Sequence, residues 1–111
     1  MNAVEALGDP VRRRIVELIG AGEKAAGELT ERITSEFDIT QPAVSRHLRV
    51  LRETGLASVR PSGTRRLYRV QAQPLRDLDR WLEGLGRFWH QGLDALDTEV
   101  RRGTRERKGS E

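Results

Sequence analysis

Hydrophobic periodicity changes abruptly at Gly55, and this change restricts the fold more than any other part of the sequence. Over 41–54 apolar residues recur at helical spacing, and Thr40 supplies a side-chain oxygen suited to capping that helix. Over 56–70 apolar and polar residues alternate in two runs on either side of a turn at 61–64, which is typical of a β-hairpin. The chain must therefore pass from a capped amphipathic helix directly into a hairpin.

Helices are predicted on both sides of this unit. Asp9 followed by Pro10 is typical of an N-cap and a first helical residue, and the helix that they begin ends at Gly20. A short helix precedes it, another spans about 25–34, and the last runs over about 74–102, a length of about 40 Å. This order predicts a mainly α fold with a small β-hairpin, a winged helix-turn-helix with a long C-terminal dimerisation helix.

Length and composition limit the class of protein. The 111 residues suit one small domain, predicted over 1–102, and the polar stretch 103–111 is predicted to be a disordered tail. The absence of cysteine excludes disulfides, thiolate metal sites and cysteine nucleophiles. With no apolar run that could span a membrane and no signal-peptide pattern, a soluble cytoplasmic protein is expected. No catalytic constellation is present, so the chain is not expected to be an enzyme.

Basic residues are concentrated in the middle of the chain. The net charge is +3, but residues 41–70 contain seven arginines and one acid, Glu53, whereas 1–40 and 71–100 each sum to −3. Eighteen of the 20 basic residues are arginine, a side chain well suited to phosphate and guanine. A basic centre between acidic flanks indicates a surface that binds a polyanion.

The helix over 41–54 separates into two faces. Its apolar residues share one side, while Arg46 and Arg49 point the other way. Free N–H groups at its start and the helix dipole favour a DNA phosphate there. An ordinary solvated basic helix is the alternative, which the capped turn before it and the basic hairpin after it disfavour. The segment is therefore predicted to be a DNA recognition helix.

Short or fork-shaped side chains near the start of this helix can read bases. Gln41 can form two hydrogen bonds with adenine, Arg46 can do so with guanine, and Ser45 can bond to either base. Arg49, further along, is expected to meet phosphate, and for His47 packing or a phosphate contact is favoured over base reading. With the cap and an alanine that can touch a thymine methyl group, the candidate DNA-binding residues of the helix are Thr40, Gln41, Ala43, Ser45, Arg46, His47 and Arg49.

The hairpin is a second candidate DNA contact. Four arginines lie around Gly63, namely Arg60, Arg65, Arg66 and Arg69, and arginines at a protruding tip can enter a minor groove or pair with flanking phosphates. Because neighbouring strand residues point to opposite faces, Arg65 and Arg66 cannot both face DNA, and one of them is expected to be only solvated. Tyr68 is expected to be a core aromatic rather than a stacking platform.

One stripe of the last helix is apolar over an arc of about 80°. A small domain cannot bury the whole stripe alone, so self-association through a two-fold interface is predicted. The alternative, ranked below packing, is that Trp81, Phe88 and Trp89 line an effector pocket. The candidate dimer residues are Val4, Leu7, Leu78, Leu82, Leu85, Trp89, Leu93 and Leu96.

Four segments resemble the ArsR family of bacterial winged-helix repressors and follow the family's order: ALGDPVRRRIVELI, GELTER, ITQPAVSRHLRVLRETGL and RPSGTRRLYRV. The end, LRDLDRWLEGLGRFWHQGLDAL, resembles the metal-independent branch that includes SdpR-type autorepressors. The resemblance implies a homodimer that binds an imperfect palindrome at a promoter and represses transcription, often of its own operon. Against the usual family spacing, residues 33–36 lengthen the connection between the third and fourth helices, which affects their angle rather than the motif.

Two alternatives stay open. Family members that sense metals through the third helix use cysteines, which this chain lacks, but His90, Asp94 and Asp97 share a polar helix face where a weak carboxylate–imidazole site is conceivable. The other alternative is a protein-interaction module whose basic face binds an acidic partner. Double-stranded DNA and a second copy of the chain are the expected partners, and no cofactor or metal is expected.

Overall fold

The computed structural model describes residues 1–109, in two compact units: Met1–Arg76 and a second unit that begins at Asp77. The first unit has helices packed with a small antiparallel sheet, and most of one long helix makes up the second. This arrangement confirms the predicted winged helix-turn-helix fold class. In chain order the elements are α1 (Ala3–Ala6), α2 (Pro10–Gly20), β1 (Lys24–Ala25), α3 (Ala26–Phe37), α4 (Gln41–Glu53), β2 (Ala57–Ser62), β3 (Arg65–Val70) and α5 (Ala72–Gly109).

Side-chain caps begin α2 and α4 where the sequence predicts them. Asp9 Oδ1 accepts hydrogen bonds from the N–H groups of Val11 at 2.8 Å and Arg12 at 3.2 Å. Thr40 Oγ1 accepts one from the N–H of Ala43 at 3.3 Å. Each cap satisfies donors that the helix itself cannot, so these two boundaries follow from local chemistry.

Residues 33–36 belong to α3, so the predicted lengthening of the connection between α3 and α4 is wrong. Ile33 is fully buried, and Glu36 accepts a hydrogen bond from Arg14 of α2 at 2.9 Å. These two contacts hold the last turns of α3 in helical form. The connection is only the three-residue turn 38–40, whose first residue ends α3 in the left-handed conformation with φ 52°.

The sheet has the strand order β1-β3-β2, and both pairings are antiparallel. The hairpin of β2 and β3 is the predicted one, closed by a two-residue turn in which Gly63 has φ 63°. The sequence does not predict β1, because two residues are too few to show alternation. In β1, Lys24 lies opposite Tyr68 and Ala25 lies opposite Leu67, which joins the segment before α3 to the wing.

The core of the first unit is formed by α2, α3, α4 and the sheet. Tyr68 is only 4% exposed, which confirms its predicted place in the core. The buried apolar side of α4 orients its opposite side outwards. The large side chains that are completely buried are Ile15, Ile19, Leu29, Ile33, Val44, Leu51 and Leu56.

α5 begins two residues before the predicted start at Pro74 and ends at Gly109, past the predicted end near Arg102. The one proline of this stretch, Pro74, lies in the first turn, where its missing N–H costs no helical hydrogen bond, and a glycine costs a helix only about 1 kcal/mol relative to alanine. The predicted disordered tail, 103–111, therefore overlaps the last turns of α5, and its residues 110–111 lie outside the described residues. Within 1–109 no helix has the length and apolar character needed to cross a membrane.

Candidate nucleic-acid interface

α4 has a polar side that the core leaves uncovered. Gln41, Ser45 and Arg46 are exposed there, as are Arg49 and Arg52. Among the described residues, none of these three arginines has a hydrogen bond or ion pair with another side chain. Their guanidinium groups can therefore bind an external anion without first breaking an internal contact.

The start of α4 offers fewer backbone donors to an anion than the sequence suggests. Thr40 Oγ1 already accepts the N–H of Ala43, and Pro42 has no N–H. In the part of the chain that the structure describes, the N–H of Gln41 is left without an acceptor. The expected anion site thus reduces to one N–H and the positive end of the helix dipole.

A groove of about 450 Å³ lies between α3, α4 and β3. Gln41, Ser45 and Arg52 line it from α4, and Arg66 lines it from β3. Two predicted base-reading residues are thereby brought together with a wing arginine. Arg52 was absent from the predicted site, although helical spacing could have revealed it, because it follows Gln41 by eleven residues and Ser45 by seven on the same side of α4.

His47 lies partly buried on α4, against α2. Arg12 Nη1 of α2 donates a hydrogen bond to His47 Nδ1 at 3.2 Å. Burial is the main cause that lowers the pKa of His47; Asp9 opposes it, and the charges of Arg12 and Arg46 lower the pKa further. The ring is therefore neutral near pH 7, and its position is compatible with either packing or a phosphate contact.

Two of the four wing arginines, in contrast, are already paired with acids. Arg60 donates to both carboxylate oxygens of Glu23, at 2.6 and 3.0 Å, and this contact holds the pKa of Glu23 below its ordinary value. Arg65 donates to Glu28 at 3.0 Å, whereas Arg66 has no such partner among the side chains of residues 1–101. Arg65 and Arg66 thus differ: Arg65 is bound to an acid, whereas Arg66 lines the groove beside α4.

The apolar stripe of α5 is exposed in the second unit. Leu82, Trp89, Leu93 and Leu96 are between 49% and 58% exposed, and large apolar side chains exposed along one helix face are typical of an interaction surface. Of the other candidate dimer residues, Leu78 and Leu85 are partly exposed, Val4 of α1 is 56% exposed, and Leu7 packs partly against the core.

The residues considered for a metal site on α5 are not gathered into one. In the chain as far as it is described, no group of three His, Cys, Asp or Glu side chains is placed to hold a metal ion. Asp97 forms an ion pair with Arg101 at 3.0 Å instead. His90 and Asp94 therefore lack the third ligand that the sequence suggested.

Known transcriptional regulators resemble this chain in sequence and in fold. A helix-turn-helix domain model matches residues 7–60. The chain is 41% identical over 92 residues to the HTH-type transcriptional regulator Rv2034 of Mycobacterium tuberculosis, covering 83% of this chain and 79% of that protein. It is 31% identical over 81 residues to the transcriptional repressor SdpR of Bacillus subtilis, covering 73% and 86%. An ArsR-like transcriptional regulator from Rhodococcus sp. RHA1 has a solved structure that matches with a TM-score of 0.63 and 27% identity, covering 84% of each chain.

Proposed function

The chain belongs to the ArsR family of helix-turn-helix transcriptional regulators, and on this premise we propose that it is a homodimeric repressor of an imperfect palindromic operator. Proteins of this family bind double-stranded DNA and are not enzymes. In the proposal, α4 of each copy lies in a major groove, and the wing formed by β2 and β3 contacts the flanking minor groove.

The observation that carries this proposal is the unpaired polar side of α4. Its arginines have no internal side-chain partner in the part of the chain whose side chains are described, so they keep their full capacity to bind DNA. The polar side of α4 also borders a groove. Gln41 and Ser45 line this groove together with Arg52 and Arg66, so candidate base readers and cations face the same space. This groove suits a DNA strand because Arg52 on its α4 side and Arg66 on its β3 side outnumber its one acid, Glu31 of α3.

The side chains divide into base readers and phosphate contacts. Gln41 reads adenine, Arg46 reads guanine, and Ser45 bonds to either base. Ala43 can touch a thymine methyl group, while Thr40 keeps its capping role at the start of α4. The direct phosphate contacts in the proposal are His47, Arg49, Arg52 and Arg66. Arg60 and Arg65 contact phosphate only when they leave Glu23 and Glu28.

A second copy of the chain covers the apolar stripe of α5 in this proposal. Two copies related by a two-fold axis would place two recognition helices about 34–36 Å apart, one turn of DNA. The palindromic operator follows from that symmetry. The proposed interface residues are Val4, Leu7, Leu78, Leu82, Leu85, Trp89, Leu93 and Leu96.

Fluorescence anisotropy over a salt series tests this function, with the region upstream of the protein's own gene and a scrambled duplex as the two probes. A preference of about a thousandfold or more for the upstream region supports specific autorepression. Equal and steeply salt-dependent binding to both probes contradicts autorepression and leaves an operator elsewhere. No binding to either duplex contradicts DNA binding and favours the protein-interaction module.

The same titration tests the dimer. Leu93→Glu places a charge within the apolar stripe and should give a monomer in sedimentation analysis with at least about tenfold weaker operator binding. Arg87→Glu is the matched control, because Arg87 is exposed on the polar side of α5 and its substitution should leave the dimer intact. A dimeric Leu93→Glu variant with unchanged affinity would contradict the proposed interface.

A further inference from the structure

Arg12 links three elements of the first unit through one guanidinium group. Its Nε donates a hydrogen bond to the carbonyl oxygen of Ala6, at the end of α1, at 2.7 Å. Its Nη1 donates to Nδ1 of His47 on α4 at 3.2 Å. The contact thus reaches from α1, through α2, to the candidate recognition helix.

The chemistry of this contact determines where His47 carries its proton. A guanidinium group has only donors and does not lose its proton in proteins. The ring nitrogen that faces it must therefore be the acceptor, so Nδ1 is unprotonated. A neutral imidazole has one N–H, and here it must be on Nε2.

The second ring nitrogen is available to a ligand. Nε2 of His47 has no hydrogen-bond partner among the described residues. In that same part of the chain, every side-chain nitrogen or oxygen shielded from solvent does have a partner, so Nε2 must reach solvent. His47 therefore presents a free N–H donor one residue after Arg46, the candidate guanine reader.

We propose that Arg12 is a positioning residue for DNA binding, which holds His47 in the neutral tautomer with the proton on Nε2 so that this N–H donates to a backbone phosphate oxygen. This inference rests on the proposed DNA-binding function and deepens it. The contact between His47 and the phosphate is a directed hydrogen bond rather than an ion pair, because a neutral imidazole has no charge and a single N–H donor. The phosphate contact at His47 thus depends on a residue of α2.

The charges around His47 support a neutral ring. Burial is the largest influence and disfavours the imidazolium, Arg12 on α2 and Arg46 on α4 disfavour it further, and Asp9 at the start of α2 opposes them. Together they hold the pKa of His47 below its ordinary value. Protonation of Nδ1 would also replace the acceptor by a donor and set two cations against each other, which would break the contact with Arg12.

Nitrogen NMR of the free protein tests the tautomer without DNA. Long-range proton–nitrogen correlations at pH 7.5 should show Nδ1 of His47 unprotonated and Nε2 protonated. Arg12→Met should allow a mixture of the two tautomers, whereas Arg13→Met should not. Arg13 is the matched control because it donates to the carbonyl oxygen of Leu7 at 3.0 Å and so anchors α1 without touching His47. A wild-type ring protonated on Nδ1, or an unchanged tautomer in Arg12→Met, would overturn the proposal.

Operator binding by five variants tests the phosphate contact. His47→Ala and Arg12→Met should each weaken binding about tenfold, and the double variant should be no weaker than either alone, because both remove the same contact. His47→Gln, whose amide nitrogen can take the place of Nε2, should stay within about threefold of the wild type, and so should Arg13→Met. Thermal melting should confirm that all variants fold.

The outcomes separate this inference from the proposed function. Additive losses in the double variant, or equal losses in His47→Gln and His47→Ala, overturn the inference while wild-type operator binding leaves the function standing. If the wild type binds no duplex, the proposed function fails and the phosphate contact fails with it. The tautomer is still decided by the NMR measurement in that case.

Discussion

The recognition helix α4 and the β2–β3 wing carry similar numbers of arginines but differ in how many are free. Arg46, Arg49 and Arg52 of α4 have no side-chain partner among the side chains that the structure describes. On the wing, Arg60 and Arg65 are held by carboxylates at 2.6 and 3.0 Å. A charge counted in the sequence is therefore not the same as a charge available to DNA.

The difference arises from what each element faces. Glu53 is the one acid within 41–70, so α4 has almost no anionic neighbour along the chain. The wing lies beside the stretch that contains β1 and the start of α3, and this stretch carries Glu23 and Glu28. DNA phosphates must compete with these two carboxylates for the guanidinium groups of Arg60 and Arg65. For the unpaired guanidinium groups of α4 they compete only with water. We therefore expect α4 to dominate both affinity and specificity.

Removal of Arg46 should have the largest effect. Arg46→Ala should cost about 1–3 kcal/mol of operator binding and relax the preference at one base pair, because the two hydrogen bonds to guanine are lost. Arg46→Lys is the control that keeps the charge but not the fork, so it should retain the salt dependence and lose the base preference. Anisotropy titrations against operators with single base changes measure both effects. Equal weakening on every sequence would contradict a base-reading role.

Two changes on the wing should be of intermediate and unequal size. Arg66→Ala should weaken binding to all sequences alike and reduce the slope of log affinity against log salt by about one, since it removes an unpaired cation. The double variant Arg65→Ala with Glu28→Gln removes a neutral pair instead and should change affinity less than about twofold. Titrations over a salt series compare the two. If the double variant loses as much as Arg66→Ala, the ion pair does not limit what Arg65 contributes.

Features that depend on neighbouring residues could be predicted from the sequence. Asp9 and Thr40 mark the starts of α2 and α4 because a cap acts over two or three residues. The end of α3 could not be predicted, since Glu36 is held by Arg14, 22 residues away in the chain. Arg52 was predictable in principle, because a spacing of seven residues places it two turns from Ser45 on the same side of α4.

The state of the wing arginines could not be predicted for the same physical reason. Glu23 and Glu28 are each 37 residues before the arginine that they bind. They reach the wing because β1 pairs with β3, and a strand of two residues has no recognisable period. The sequence therefore predicted that the wing is basic, but only the tertiary structure shows how much of that charge is neutralised.

Release of Arg60 or Arg65 from its carboxylate partner should have the smallest effect, and it should increase the affinity for DNA. Glu23→Gln and Glu28→Gln should each raise affinity for operator and scrambled duplex alike by about two- to fivefold and steepen the salt dependence, because Arg60 or Arg65 becomes free to meet a phosphate. Lowering the pH is not a substitute for Glu23→Gln. The hydrogen bond from Arg60 lowers the pKa of Glu23, so Glu23 stays ionised and paired from neutral pH to below the range in which a glutamate ordinarily titrates. The pair is lost only at still lower pH. Glu17→Gln is the matched control, since it removes the same charge but its partner Arg14 still pairs with Glu36. If Glu23→Gln and Glu28→Gln match Glu17→Gln in affinity and salt dependence, the wing arginines do not reach phosphate even when free, and α4 alone accounts for the interface.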